Sequence, residues 1–399
     1  MVSNFIHLLP KNTWILMLTN ALSGIAHFIV LPYLSIYLHE YANLTTIQTG
    51  IIIGISPILS TILSPFAGII AKKIGYKSAI IIGSIGWVIA SIIYANTYHF
   101  SLFCLAAIIT GVSGSIQNIA FITTLSLSVS TKGSQSVLFN MNYWILNICA
   151  GLGSLIGIFF NSGKNPNLFY FIAVTELVFT LIILFIIKDS SRYHSQKNQE
   201  GKVDIFNSFL LFKQPGFALF VIGSFFCLLG YSQIESNFSL YLADYFEDGA
   251  FFYGKLISLN GFLAIILQPL SFYFSQKVGM KRALFLGPLF YSLSFLLFSS
   301  KTPIILYLSM IIFTFGETVY SPNSSAVVAD LSDEASRSTY FGAFNLHGFG
   351  SFLGPPLGAF FLSQRHPYYL YIISFIFLIS TLLLFFSLKL LSVKREGNQ

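Results

Sequence analysis

An all-α integral membrane protein of about twelve transmembrane helices, arranged as two parallel six-helix repeats, is the fold class this sequence predicts. Three observations predict it. Apolar residues make up 55% of the 399-residue chain and charged residues only 9%, against roughly 25% charged in a soluble protein. The apolar stretches are continuous over about twenty or more residues, the length that crosses a bilayer as a helix. They lack the alternation of barrel strands, and helices satisfy their own backbone groups in lipid. Finally, the chain matches itself without a gap at a shift of 204 residues.

Taken in order, span 1 (13–38) runs through Trp14 and Leu38; it is too long for the apolar core of a signal peptide, and no small-residue cleavage site follows. Span 2 (47–71) and span 3 (78–96) flank the basic stretch Lys72, Lys73, Gly75 and Lys77. Span 4 (101–128) and span 5 (137–160) flank Lys132, and span 6 (168–187) follows Lys164. The polar segment 188–216, with Lys188, Arg192, Lys197, Lys202 and Lys213, links the halves and has room for a short amphipathic helix near Phe206–Phe212. Span 7 (217–243) and span 8 (251–275) come next, then Lys277, Lys281 and Arg282, then span 9 (282–299). Lys301 precedes span 10 (303–329); Asp330, Asp333, Glu334 and Arg337 precede span 11 (338–362); Arg365 precedes span 12 (368–391). The predicted organisation is a six-helix bundle at 1–187, a cytoplasmic linker at 188–216 and a second bundle at 217–399.

Twelve spans put both termini on one side. Seventeen Lys and Arg residues fall on that side and four, Lys164, Lys255, Lys301 and Arg365, on the other. Basic residues favour the cytoplasmic face, so both termini are expected inside, in a bacterial cytoplasmic (inner) membrane. The same asymmetry accounts for the formal charge of +7 without nucleic acid. Cys104, Cys149 and Cys227 all lie in apolar runs and read as small core residues.

At the 204-residue shift, Ser35, Tyr37, Leu38 and Tyr41 fall on Ser239, Tyr241, Leu242 and Tyr245. Gly50 and Pro65 fall on Gly254 and Pro269; Lys73, Gly75, Lys77 and Gly83 fall on Lys277, Gly279, Lys281 and Gly287. Matches at Pro, Gly, Lys and Tyr are not accidents of apolar composition. Repeats with an even number of spans keep one orientation, a plan that lets two similar halves rock about a central site in transporters.

The loop from Gly68 to Lys77 resembles the G-x-L-A-D-R-x-G-R-K loop of the major facilitator superfamily, with Gly68, Ala71, Lys73, Gly75 and Lys77 in register. Lys72 stands where that family has Asp, and Tyr76 where it has Arg. Span 11 carries Gly350, Gly354, Pro355 and Gly358, similar to the G-x-x-x-G-P-x-x-G pattern of antiporters, whose usual copy is in span 5. With Leu31-Pro32-Tyr33 in span 1 and Gly316-Glu317 in span 10, the chain resembles the drug:proton antiporter (multidrug efflux) branch. The resemblance implies a major facilitator fold, alternating access, and a central cavity lined by spans 1, 4, 7 and 10.

Ionisable groups inside a bilayer cost several kcal/mol and are functional candidates by default. They are His27, Glu176, Glu235, Glu317 and His347. The resemblance implies that His27, Glu235 and Glu317 face the cavity, and proton coupling is expected of these three. Withdrawal from water favours an uncharged carboxyl, which permits proton exchange near physiological pH. Glu176, on a peripheral span, is expected to be structural, and His347 a packing or gate residue. Asn20, Gln117, Asn118, Tyr231, Gln233 and Asn323 are the expected substrate-cavity residues, although Asn and Gln also hold helices together. Glycines at spacing four, with Pro355 breaking the ladder, predict a close helix contact. A cytoplasmic gate is expected at Lys72, Lys73, Gly75 and Lys77, with Lys72 or Lys73 pairing Asp333 or Glu334.

These residues predict a secondary transporter for small neutral or cationic amphiphiles, acting as a monomer, with protons as the coupling partner and no cofactor or metal. A proton symporter or a sugar or lipid exporter would use the same scaffold. A membrane receptor or sensor would need a signalling domain, and an enzyme a clustered nucleophile, base or metal set; neither is evident in the sequence. No phosphate-binding loop supports ATP drive.

Overall fold

The computed structural model describes residues 11–128, 132–160, 164–186, 210–300, 302–332, 337–364 and 368–396, and among these every regular element is helical. Eleven helical segments are long and apolar enough to cross a membrane. The predicted twelfth, span 11, is assembled from Arg337–Phe344, the tight turn Asn345–Gly348 and Phe349–Ser363. Its ladder is interrupted, so no single piece reaches full length. Large apolar side chains such as Phe185 (78% exposed) and Ile266 (69%) point outward. Water would not tolerate so much exposed apolar surface, but lipid does.

Spans 1 and 7 are also interrupted. Span 1 runs Lys11–Val30, tightens at Leu31–Tyr33 around Pro32, and resumes through Leu34–Ile36 and the wide turn Tyr37–Tyr41. Pro32 explains the break, since it lacks an N–H and its ring crowds the preceding turn. Span 7 runs Pro215–Glu235, breaks at Ser236 (φ −117°, ψ −77°), and resumes as Asn237–Tyr245. Pro32 and Ser236 are 204 residues apart, the repeat shift. Beyond each break the matched tyrosines pack together: Tyr37 on Tyr41 at 5.1 Å and Tyr241 on Tyr245 at 4.5 Å between ring centroids.

The loops repeat as well. Thr46–Ile74 meets Tyr76–Asn96 at Gly75 (φ +92°, ψ 139°), and Gly249–Val278 meets Met280–Phe298 at Gly279 (φ +88°, ψ 139°). A side chain would be strained in that conformation, which explains why the two repeats share glycine there.

Contacts divide the chain into two compact units, Met1–Gln199 with Asp248–Gly261, and Glu200–Glu247 with Phe262–Gln399. In the first, Asn167–Ile186 packs on Lys11–Val30 and Tyr76–Asn96, and Phe100–Leu127 packs on both helices flanking Gly75. The start of span 8 groups with this unit, where Ser258 donates to the Gly151 carbonyl at 2.8 Å. In the second, Pro215–Glu235 packs on Tyr369–Glu396 and Phe349–Ser363. Hydroxyls fix this packing: Ser380 and Ser387 donate to the carbonyls of Gly223 and Gly216, each at 2.7 Å. Of the predicted linker, 188–209 lies outside the described residues; Leu211–Lys213 forms a short turn.

Candidate functional site

Each unit contains a cavity. That of the second unit, about 380 Å³, is lined by Cys227 and Tyr231 of span 7, Tyr291 of span 9, Glu317, Tyr320, Ser321 and Ser324 of span 10, and Phe344 and His347 of span 11, among others. Helical periodicity puts them there: Cys227 and Tyr231 are four apart, and Glu317, Tyr320, Ser321 and Ser324 fall on one face of span 10. The Tyr231 hydroxyl donates to Glu317 Oε1 at 2.9 Å. The Tyr231 ring stacks on Phe313 at 5.6 Å, which fixes the donor's direction. Glu317 is thus half-buried and bonded, facing open space inside a membrane-spanning unit. Glu235, one turn beyond Tyr231, closes the helix before the Ser236 break. It is exposed and, contrary to the expectation from sequence, is not among the residues that line this cavity. His347, stacked on Phe344 at 4.2 Å with Nδ1 2.6 Å from that residue's carbonyl, lines the same cavity.

The first unit's cavity, about 250 Å³, is lined by Asn20, Ser23, His27, Trp87, Gln117, Asn118 and Asn142, with Phe28, Phe121 and Phe179 among the apolar residues. Asn20, Ser23 and His27 form one stripe of span 1 at spacings of three and four. Behind it lies Glu176, fully buried. Ser23 donates to Glu176 Oε1. Gln117 Nε2 donates to Glu176 Oε2 at 3.1 Å and to Ser84 Oγ at 2.9 Å. His27 Nε2 is 3.3 Å from Glu176 Oε1, an ion-pair distance without hydrogen-bond alignment. The His27 ring lies over Trp87 with centroids 4.3 Å apart.

Of the residues expected at the cavity, Asn20, Gln117, Asn118 and His27 line the first cavity, and Tyr231 and Glu317 the second. Gln233 and Asn323 are placed elsewhere. Gln233 is fully buried; its Nε2 donates to the Gly354 carbonyl at 2.7 Å, and its Oε1 accepts from Asn237 at 2.9 Å and Tyr369 at 3.0 Å. Asn323 donates to Ser275 Oγ at 2.8 Å and to the Val319 carbonyl. Both amides tie helices together. Glu176, read from sequence as structural, is the centre of the first unit's polar cluster.

The glycine stripe packs on span 7. A methyl at Gly354 would lie 2.6 Å from the Leu229 carbonyl, and one at Gly358 2.6 Å from Asn237 Nδ2. Pro355, inside the same helix, has its carbonyl bonded by Asn237 at 2.9 Å. Of the expected gate, Lys73 is exposed and Lys77 half-buried near the Gly75 turn. Asp333 and Glu334 lie outside the described residues, as does the Lys72 side chain. Neither cavity has Lys or Arg among its described lining residues. Among the described residues no group of three or more His, Cys, Asp or Glu could hold a metal ion.

The family model described as the Major Facilitator Superfamily matches residues 16–287 and 220–399. An uncharacterized MFS-type transporter, YqjV of Bacillus subtilis, is 24% identical over 351 residues, covering 87% of this chain and 85% of that protein. The quinolone resistance protein NorA of Staphylococcus aureus is 25% identical over 342 residues, covering 84% and 85%. In fold, the crystal structure of the nucleoside transporter NupG superposes with a TM-score of 0.80 at 16% identity, over 96% of this chain and 99% of that one.

Proposed function

Because this chain belongs to the major facilitator superfamily and is a multi-pass membrane transporter, we propose that it exports small neutral or cationic amphiphiles in exchange for protons. Alternating access between its two halves carries the exchange across a bacterial cytoplasmic membrane, with both termini inside. The proton motive force supplies the energy, and the monomer is the working unit.

The observation that carries this reading is Glu317, held by Tyr231 in a cavity with aromatic walls and no described Lys or Arg. A carboxyl group in such a place is neutralised either by a proton or by a positive charge on the ligand. Each excludes the other, which is the requirement for exchange. Tyr231, Tyr291 and Phe344 offer ring faces that attract organic cations. An anion would find no Lys or Arg among the described lining residues. The likeness to a quinolone resistance protein supports export as the direction.

The test uses proteoliposomes loaded with a pH-sensitive dye and challenged with cationic and neutral amphiphiles. Substrate-triggered proton movement is expected in the native protein and lost in Glu317→Gln. Substrate transport with no proton movement in the native protein would overturn the coupling.

A further inference from the structure

We propose that Glu176 and His27 together form a proton-binding site of the first unit, separate from the carboxyl groups of spans 7 and 10, whose charge is sensed by a ligand in the adjoining cavity. The site does not depend on the role assigned to Glu317.

The geometry is that of a charge that needs a partner. Glu176 is fully buried within a membrane-spanning bundle, where an unpaired carboxylate costs several kcal/mol. The groups facing it are Ser23 and His27 from span 1 and Gln117 from span 4, with Ser84 of span 3 behind the amide. Trp87 of span 3 packs on the imidazole, Thr180 of span 6 bonds the Glu176 main-chain carbonyl, and among the described residues span 5 presents the uncharged Asn142 and Leu146 to the cavity and Cys149 to span 1. Among the described lining residues His27 is the one side chain able to become a cation. Three hydrogen-bond and ion-pair contacts from three residues on two spans converge on one carboxyl, more than a helix contact requires.

Two of the pair's three charge states matter here. With one proton, on the imidazole or on the carboxyl, the pair is neutral overall. With none, it carries one negative charge. The cavity beside it turns this into a ligand-dependent choice. A cation entering among Asn20, Trp87 and Asn118 favours the negative state and releases the proton, and its departure restores the neutral state. Gln117 transmits the difference. Its amide N–H groups are committed to Glu176 Oε2 and Ser84 Oγ, so its carbonyl oxygen is what it offers a ligand. A proton on Oε2 would become the donor, and the Gln117 amide would turn to present N–H to the cavity instead.

The experiment is an infrared pH titration of the purified full-length protein in detergent, in a Glu235→Gln/Glu317→Gln background. It follows the carbonyl band of a protonated carboxyl in apolar surroundings. A titrating band is expected in that background and lost on adding Glu176→Gln. If that variant does not fold, Glu176→Asp should retain the band at a new frequency. His27→Gln should displace the midpoint by about one pH unit or more, the usual effect of a charge within hydrogen-bonding range. Tetraphenylphosphonium should release protons from the background protein. A carboxyl band that does not titrate while the protein stays folded, or a midpoint unmoved by His27→Gln, would overturn the paired site. Absence of proton release would overturn its link to the cavity. Loss of coupling in Glu317→Gln with this titration intact would separate the two sites.

Discussion

Replacing Gly350 by alanine tests the contact between spans 7 and 11 most directly. A methyl there would lie 2.8 Å from the Leu229 amide nitrogen and closer still to the Phe225 carbonyl oxygen, where ordinary contact begins near 3.4 Å. Both neighbours are main-chain atoms, so no rotamer change relieves the clash. To clear the nearer of the two, the helices must part by about 1 Å, and such overpacking costs about 1–3 kcal/mol. Parting also stretches the bonds from Gln233 to the Gly354 carbonyl and from Asn237 to the Pro355 carbonyl, each worth about 0.6 kcal/mol in a membrane protein. The expected loss is therefore about 2–4 kcal/mol. Thermal unfolding in detergent, followed by fluorescence-detected size exclusion, should show Gly350→Ala with a clearly lowered Tm. The control is Gly68→Ala, whose methyl would meet, among the described residues, only Ile119 Cγ2 at 3.9 Å and should leave Tm unchanged or slightly raised. Equal midpoints for the two variants would refute the close-contact argument.

The remaining predictions concern single groups. Tyr231→Phe removes the donor to Glu317 and leaves the ring packing; a charge-assisted bond of about 1.5–3 kcal/mol corresponds to a change of tenfold or more in the proton-coupled rate, measured in the dye-loaded vesicles, with Tm little changed. Gly279→Ala places a side chain in a conformation nearly exclusive to glycine, at a cost of about 1–3 kcal/mol. Among the described residues nothing lies within 4 Å of the new methyl, so a lowered Tm there would report the backbone, and an unchanged Tm would contradict the strain. Lys164→Ala breaks the 2.9 Å pair with Glu40, yet both partners are open to water and such pairs contribute about 0–1 kcal/mol; a Tm shift of several degrees would be unexpected.

The spans and the repeat were legible because the bilayer imposes a simple rule on composition, and because glycine at 75 and 279 answers a backbone need that no other residue meets. Glu317 and His27 were legible as charges out of place in apolar helices. The contents of each cavity were less so. Gln233 and Tyr231 sit two residues apart on one helix, which turns them to different faces, one onto Gly354 and the other onto Glu317. The site around Glu176 was hidden for a related reason: its partners are 153 and 59 residues away in sequence, and only packing brings them together. Span 11 escaped as a single helix because Asn345–Gly348 tightens before the prolines are reached.

The interruptions of spans 1 and 7 have a consequence of their own. In the first repeat a ring imposes the bend. In the second there is no ring at the matching place; Ser236 bonds back to the Ser232 carbonyl, and Asn237 reaches Pro355 across the helix contact. One bend is written in covalent geometry and would persist in an isolated peptide. The other has no such covalent cause and rests on one bond within its own span and one across the helix contact. The two breaks fall at matched positions of the repeat yet differ in origin, one set by a ring and the other by hydrogen bonds.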